Sequence, residues 1–205
     1  MKVAVVGGTG AFGSALGRRL VEAGVDVTIG SRDPDRAVAA ATEIGATRGL
    51  ANADAVAGAE LVVLSVDASA ALSTAAELLE PLGDKPVLCV ASELQIENGA
   101  AYPSTSPLSL AERIQEVLGG PVVAGLHSLA AKSLAAGKAE GDALVCGDDA
   151  AAKATALELA ALLVTGRALD AGPLASARAL EGMTAVIVNL NRRYHAHAGL
   201  RVEGV

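Results

Sequence analysis

Aromatic side chains are nearly missing from this chain. In 205 residues there is no tryptophan, one phenylalanine (Phe12) and two tyrosines (Tyr102 and Tyr194). Base stacking on single-stranded nucleic acid therefore has almost no platform. A basic surplus is missing as well: 16 Lys and Arg stand against 23 Asp and Glu, a formal net charge of −7. The pI is near 5.0, so the positive footprint of a nucleic-acid binder is absent. An anion can still be held, but only where a local Arg cluster or backbone N–H groups offset the overall field. Cysteine is scarce. Cys89 and Cys146 stand apart, outside any metal-binding or redox spacing, and read as reduced thiols in a cytoplasmic protein. Long apolar runs are lacking too. The charge-free stretches 3–17 and 117–131 are broken by glycines and fall short of the roughly 18 residues of a membrane span. Lys2-Val3-Ala4-Val5-Val6 reads as a strand from the outset, so no signal peptide is expected before the fold.

Small and aliphatic residues are plentiful. Hydrophobic residues make up 52% and there are 23 glycines, with a mean hydropathy of +0.44. A core of Val, Leu, Ile and Ala, closely packed through small side chains, follows. The pattern alternates strand and helix. Strands are expected at 2–6, 25–29, 46–50, 61–66, 86–90, 122–126 and 143–146, nearly continuous in apolar character, as for strands buried on both faces. Helices are expected through Phe12, Leu16 and Leu20, over 37–44 behind Asp33-Pro34, briefly after Asn52, and over 68–82, 109–118, 150–165 and 174–198. The stretch 93–107 reads as a long polar loop, and 128–138 has no clear assignment. The class is α/β, a doubly wound, mostly parallel sheet with a C-terminal helical extension. The expected division is a nucleotide-binding part over 1–148 and a small helical part over 149–205.

Gly8-Thr9-Gly10-Ala11-Phe12-Gly13 fits G-x-G-x-x-G between an expected strand and an expected helix. The first glycine suits the tight turn, the second a close pyrophosphate, and the third helix-on-strand packing. The helix N-terminus adds free N–H groups and positive potential. Gly7, Gly10 and Gly13 also fit the turn of extended short-chain dehydrogenases, which need a Tyr four residues before a Lys. Tyr102 and Tyr194 are followed at that spacing by Ser106 and Ala198. The second strand runs into Gly30-Ser31-Arg32, with Arg36 one turn on. A hydroxyl and two guanidiniums suit a 2′-phosphate, where an acidic residue would select NAD. NADP(H) is the expected nucleotide. The competing assignment pairs both arginines with Asp33 and Asp35.

Together these segments resemble the F420H2:NADP oxidoreductases, and the likeness recurs later in the chain. Gly125-Leu126-His127-Ser128, Val145-Cys146-Gly147-Asp148-Asp149, and Leu169 to Leu174 are similar to family segments, as are Ala177-Arg178, Glu181 and Thr184 to Asn189. The resemblance implies hydride transfer between NADP(H) and coenzyme F420, a deazaflavin, in a homodimer. It implies that Gly8, Thr9, Gly10, Ala11, Phe12 and Gly13 surround the pyrophosphate, and that Ser31, Arg32 and Arg36 hold the 2′-phosphate. Ser65, Val66 and Ala91 would lie along the ribose and nicotinamide. His127, Ser128, Leu129 and Ala130, with Thr184 and Asn189, would border F420. The sequence departs from many relatives at Asp67-Ala68, at Ala91-Ser92-Glu93-Leu94 and at Ala130, all around the expected deazaflavin pocket.

No nucleophile triad, paired carboxylates or metal-ligand cluster stands out. That fits direct hydride transfer, in which the cofactors carry the chemistry. His127 is either a structural histidine or a group near the reacting rings and so a candidate proton donor. His195 and His197, at i and i+2 on an expected helix, should point to different sides. They read as surface or capping groups. Two alternatives stay open: an NADPH-dependent reductase of another acceptor, and a redox sensor that binds NADP(H) without turnover.

Overall fold

The apolar start of the chain forms β1 (Lys2–Val6), whose last four residues are buried. Its alternate side chains feed two cores. The computed structural model describes residues 1–205. The strands that follow are β2 (Asp26–Ser31), β3 (Arg48–Ala51), β4 (Leu61–Leu64), β5 (Val87–Cys89), β6 (Leu94–Glu97), β7 (Ala100–Pro103), β8 (Val122–Gly125), β9 (Ala143–Gly147) and β10 (Ala168–Asp170). The helices are α1 (Ala11–Glu22), α2 (Pro34–Ile44), α3 (Asn52–Ala57), α4 (Ala68–Leu82), α5 (Leu110–Leu118), α6 (Ala131–Ala136), α7 (Ala150–Leu163) and α8 (Ala177–Tyr194).

Eight strands form one sheet in the order β10-β9-β8-β5-β4-β1-β2-β3, and β6 pairs with β7 apart from it. All pairings in the large sheet are parallel except β8 with β9. This is the doubly wound, Rossmann-type sheet the sequence predicts. The chain winds from β1 through β2 to β3 on one side, then crosses back to β4 on the other side of β1. That reversal opens a crevice at the carboxyl ends of these strands. Val3 and Val5 pack with Leu16 and Leu20 of α1, Ala41 of α2, and Leu159 and Leu163 of α7. Ala4 and Val6 pack on the opposite face with Val56 of α3, Leu78 of α4, Ile114 of α5 and Leu180 of α8.

Local signals set the helix ends. Asp33 caps α2 by accepting from the Asp35 and Arg36 N–H groups at 3.0 and 3.3 Å, with Pro34 in the first turn. Ser109 and Glu112 form a reciprocal capping box on α5.

Four expectations change. The polar stretch 93–107 is not a plain loop, because β6 and β7 form an antiparallel hairpin inside it. Asn98 and Gly99 make its turn with φ of 49° and 80°, the two positive φ values a tight hairpin demands. The unassigned stretch 128–138 contains α6. The segment after 148 contributes more than helices, since β10 extends the sheet beside β9. The last helix begins with a 3-10 turn over Leu174–Ser176 and stops at Tyr194 rather than reaching Ala198.

Candidate functional site

The turn after β1 is built around Gly7. Its φ is +79°, and a Cβ there would sit 2.6 Å from the Ser65 carbonyl oxygen. Gly7, rather than Gly8, therefore carries the left-handed turn. At Gly13 a Cβ would come 2.7 Å from the Gly7 carbonyl, so α1 lies directly on the turn. Gly10 differs: a Cβ there would meet only the Gly7 oxygen, at 3.4 Å, and its other side is open. The N–H groups of Ala11, Phe12 and Gly13 have no backbone partner. Gly10 supplies no side-chain cap and the first turn of α1 has no acid. Free donors, a positive helix end and an open approach make an anion cradle.

Beside that cradle lies a cleft of about 390 Å³ lined by Gly7, Thr9, Gly10, Ser31, Arg32, Arg36, Ser65 and Val66 among others. Ser31 Oγ accepts from the Asp33 N–H at 3.2 Å, leaving its own proton free. Arg32 and Arg36 are exposed and enter none of the ion pairs in the structure. The Asp33 carboxylate is occupied with capping α2. The surface-pairing alternative for these arginines therefore does not hold.

A second chamber, of about 400 Å³, continues from the cleft and shares Gly10, Ser65, Val66 and Asp67 with it. Ala11, Phe12, Ala91, His127, Leu129 and Thr184 also line it. Leu126, just ahead of His127, is buried with φ +65°. A left-handed leucine costs about 1–2 kcal/mol, and it turns the chain so that His127 reaches the chamber. His127 is 5% exposed. Neither ring nitrogen has a hydrogen-bond partner. Burial pulls its pKa down to about 4, opposed only by the nearby Ala91 backbone, which lies outside hydrogen-bonding geometry. The ring is neutral at physiological pH, and it lies in the chamber wall with both nitrogens buried and unspent.

Three expected pocket residues are placed elsewhere. Ser128 is buried, and its hydroxyl points to the Asp142 carbonyl at 3.3 Å. Ala130 lines a neighbouring cleft instead. Asn189 holds the hairpin on α8, accepting from the Ala101 N–H and donating to the Ala101 carbonyl, both at 2.8 Å. Thr184 both lines the chamber and donates to the His127 carbonyl at 3.0 Å. Of the departures noted in the sequence, Asp67 and Ser92 line the chamber. Glu93 is held aside by Ser104 at 2.5 Å and Arg113 at 2.8 Å. Those contacts, Ser104 foremost, keep its carboxyl below the usual range.

Other site residues escaped the sequence pattern. Asn52, the first residue of α3, lines the first cleft, while its Oδ1 is buried beside Gly30 and unpartnered. Its place directly after β3 was the available signal, because ligands collect at strand carboxyl ends. Val90, Leu94, Leu126 and Ala131 complete the chamber; Leu94 and Leu126 fall in segments already compared with the family, whereas Val90, apolar at the end of an expected strand, gave no signal. Cys89 and Cys146 are buried free thiols pushed up to about 12 by burial, too high for a working thiolate.

Residues 2–92 match the family described as NADP oxidoreductase, coenzyme F420-dependent. The chain is 33% identical to the F420-dependent NADP reductase of Methanothermobacter thermautotrophicus, covering 98% of this chain and 94% of that protein. It is also 33% identical to the enzyme of that name from Methanocaldococcus jannaschii, covering 98% of each. A crystal structure from Arthrobacter sp. FB24, assigned to the F420-dependent NADP reductases, superposes with a TM-score of 0.84 at 30% identity and full coverage of both chains. With two relatives this similar along almost their whole length, and a glycine turn and arginine pair suited to NADP, the chain belongs to the F420-dependent NADP oxidoreductase family.

Proposed function

We propose that this protein transfers a hydride between NADP(H) and coenzyme F420. The observation that carries the reading is the continuity of two unlike cavities. One has a free helix N-terminus and two unpaired guanidiniums; the other is an apolar chamber with a single charged residue, Asp67.

The residues fit both molecules. The N–H groups of Ala11, Phe12 and Gly13 would hold the pyrophosphate, with Gly8, Thr9, Gly10 and Gly13 shaping the turn. Ser31, Arg32 and Arg36 would hold the 2′-phosphate. Asn52 would lie beside the nucleoside in the first cleft. Ser65 and Val66, shared by both cavities, would run beneath the ribose and nicotinamide, with Ala91 beside them. Phe12, Leu129 and Thr184 would border the deazaflavin. His127, neutral and unpartnered, is the candidate to hold a ring proton or polar substituent. When bound, the two rings supply the hydride chemistry themselves. The residues lining the two joined cavities would hold the rings against each other and shield them from water. Small side chains at Ala91 and Ala131 permit that approach. Ser128 and Asn189 would act behind the pocket, positioning the residues that line it, and Ala130 would border it from the neighbouring cleft.

The C-terminal part, 149–205, would close the F420 side through α8, which carries Thr184. A homodimer is supported by an apolar stripe on α8: Val186, Leu190 and Tyr194 are 58, 41 and 69% exposed at a four-residue repeat. No helix is long and apolar enough to cross a membrane, and two unpaired thiols suit a reducing, cytoplasmic compartment. The test is to mix the purified protein with F420 and NADPH, repeat with NADH, and follow loss of the oxidised deazaflavin absorbance. Rapid loss with NADPH and little with NADH is expected. No loss with either, alongside tight NADPH binding, would overturn F420 as the acceptor.

A further inference from the structure

The chamber suits a ring and not an anion, because its only charged residue is the carboxylate of Asp67. At Ala131 the chamber meets another cleft, of about 550 Å³, between the start of α6 and the end of α8. Lys132, Arg192, His195 and His197 line this cleft, together with Asn191, and no acidic residue does. Neither Lys132 nor Arg192 is in an ion pair. Arg192 uses Nη1 on the Gly99 carbonyl at 2.7 Å, which fixes the side chain and leaves its other donors free. His195 takes a left-handed φ of 51°, so the chain bends just past the end of α8. His195 and His197 thus come to one cleft, instead of to opposite sides of a helix. In a chain of net charge −7, four cationic or N–H-bearing side chains without one carboxylate is a local reversal of the field.

The two cationic surfaces flank the chamber. Arg32 and Arg36 stand on the side of the glycine turn, and Lys132 and Arg192 stand beyond Ala131. We infer that the basic cleft between α6 and α8 receives the anionic tail of the deazaflavin substrate. Coenzyme F420 links its ring to a phosphodiester and glutamyl carboxylates, and the ring alone lacks them. The inference rests on F420 being the acceptor. Such a cleft would distinguish the tailed coenzyme from the bare deazaflavin without touching the reacting atoms.

The experiment is an equilibrium titration of the full-length protein, followed by deazaflavin fluorescence with no NADPH present. F420 is compared with the tailless 8-hydroxy-5-deazaflavin, in the wild type and in Lys132→Glu and His197→Glu variants. The wild type is expected to prefer F420 by about tenfold, a preference that shrinks as added salt screens the exposed charges. Each variant is expected to lower F420 affinity about three- to tenfold and to leave the tailless compound's affinity unchanged. Circular dichroism and NADPH affinity report whether each variant keeps the fold. Equal binding of the two deazaflavins by the wild type overturns the tail site alone, as does equal weakening of both in the folded variants. Binding of neither deazaflavin, with NADPH still bound, overturns the F420 reading itself and the tail site with it.

Discussion

Thr184 on α8 donates a hydrogen bond to the carbonyl of His127, at 3.0 Å, across the floor of the chamber. Its oxygen also lies 2.8 Å from Ser92 Oγ. A hydroxyl has one proton, and Thr184 gives its proton to His127, so Ser92 is the donor in the second bond. The turns after β5 and β8 and the last helix therefore meet at one hydroxyl. Thr184→Val keeps the shape and removes both bonds, each worth about 1 kcal/mol net. We expect a melting temperature lower by about 2–4 °C for each kcal/mol lost. F420 should bind more weakly while NADPH binding stays as it was. Separate titrations of the two ligands check this, and parallel weakening of both would remove Thr184 from the F420 side.

The 2′-phosphate assignment depends on Arg32 and Arg36 being unpaired. Arg32→Glu removes one charge-assisted hydrogen bond, worth about 1.5–3 kcal/mol, and adds repulsion. NADPH affinity should fall at least about tenfold while NADH affinity holds or improves. Isothermal titration with both nucleotides decides it; an unchanged NADPH affinity would move the phosphate elsewhere.

Gly7→Ala should cost stability before it affects chemistry. The new methyl would be 2.6 Å from a backbone oxygen at a φ of +79°, and the αL penalty alone is about 1–2 kcal/mol. A folded variant is expected to melt several degrees lower. A variant as stable as the wild type would mean the turn has room that its geometry denies.

Glu181 is buried and accepts from the Leu110 and Ala111 N–H groups at 2.8 and 3.4 Å. Burial pushes its pKa up from 4.5 to about 7, against those two hydrogen bonds. The folded state holds this proton more tightly than the unfolded one. Its stabilising contribution is therefore complete below pH 4.5 and is lost as pH rises through about 7. Glu181→Gln keeps an acceptor for the same N–H groups and does not titrate. Across that window the wild type should lose stability relative to the variant, in denaturant melts taken at several pH values. Parallel curves would show that Glu181 ionises as freely folded as unfolded.

Much of the nucleotide side was legible because its constraints are local. Gly8-x-Gly10-x-x-Gly13, Ser31 and the two arginines are fixed by a strand end, a turn and a helix start within about thirty residues. The F420 side is assembled from distant turns, where side-chain direction decides membership. Leu126 in a left-handed conformation sends His127 inward and leaves Ser128 facing Asp142, and no periodicity encodes that. The hairpin does carry a readable signal: Asn98-Gly99 is a strong turn pair, set in a stretch whose polarity and prolines argue for a loop. The left-handed His195 that ends α8 and brings His195 and His197 to one cleft has no such mark in the sequence. The strand β10 is three residues long, and only pairing with β9 makes it one.

Asn189 behaves as a surrogate peptide unit. By giving and taking one hydrogen bond with Ala101, it supplies what a neighbouring strand would offer at that residue of β7. An edge otherwise open to another chain is occupied at that point by a single amide. Aspartate could accept there but not donate, and leucine could do neither. Glutamine could do both, but with an extra methylene it would hold the hairpin off the helix. The hairpin and α8 are thus bound to diverge as a pair, since a shift in either spoils a contact that few other side chains can remake.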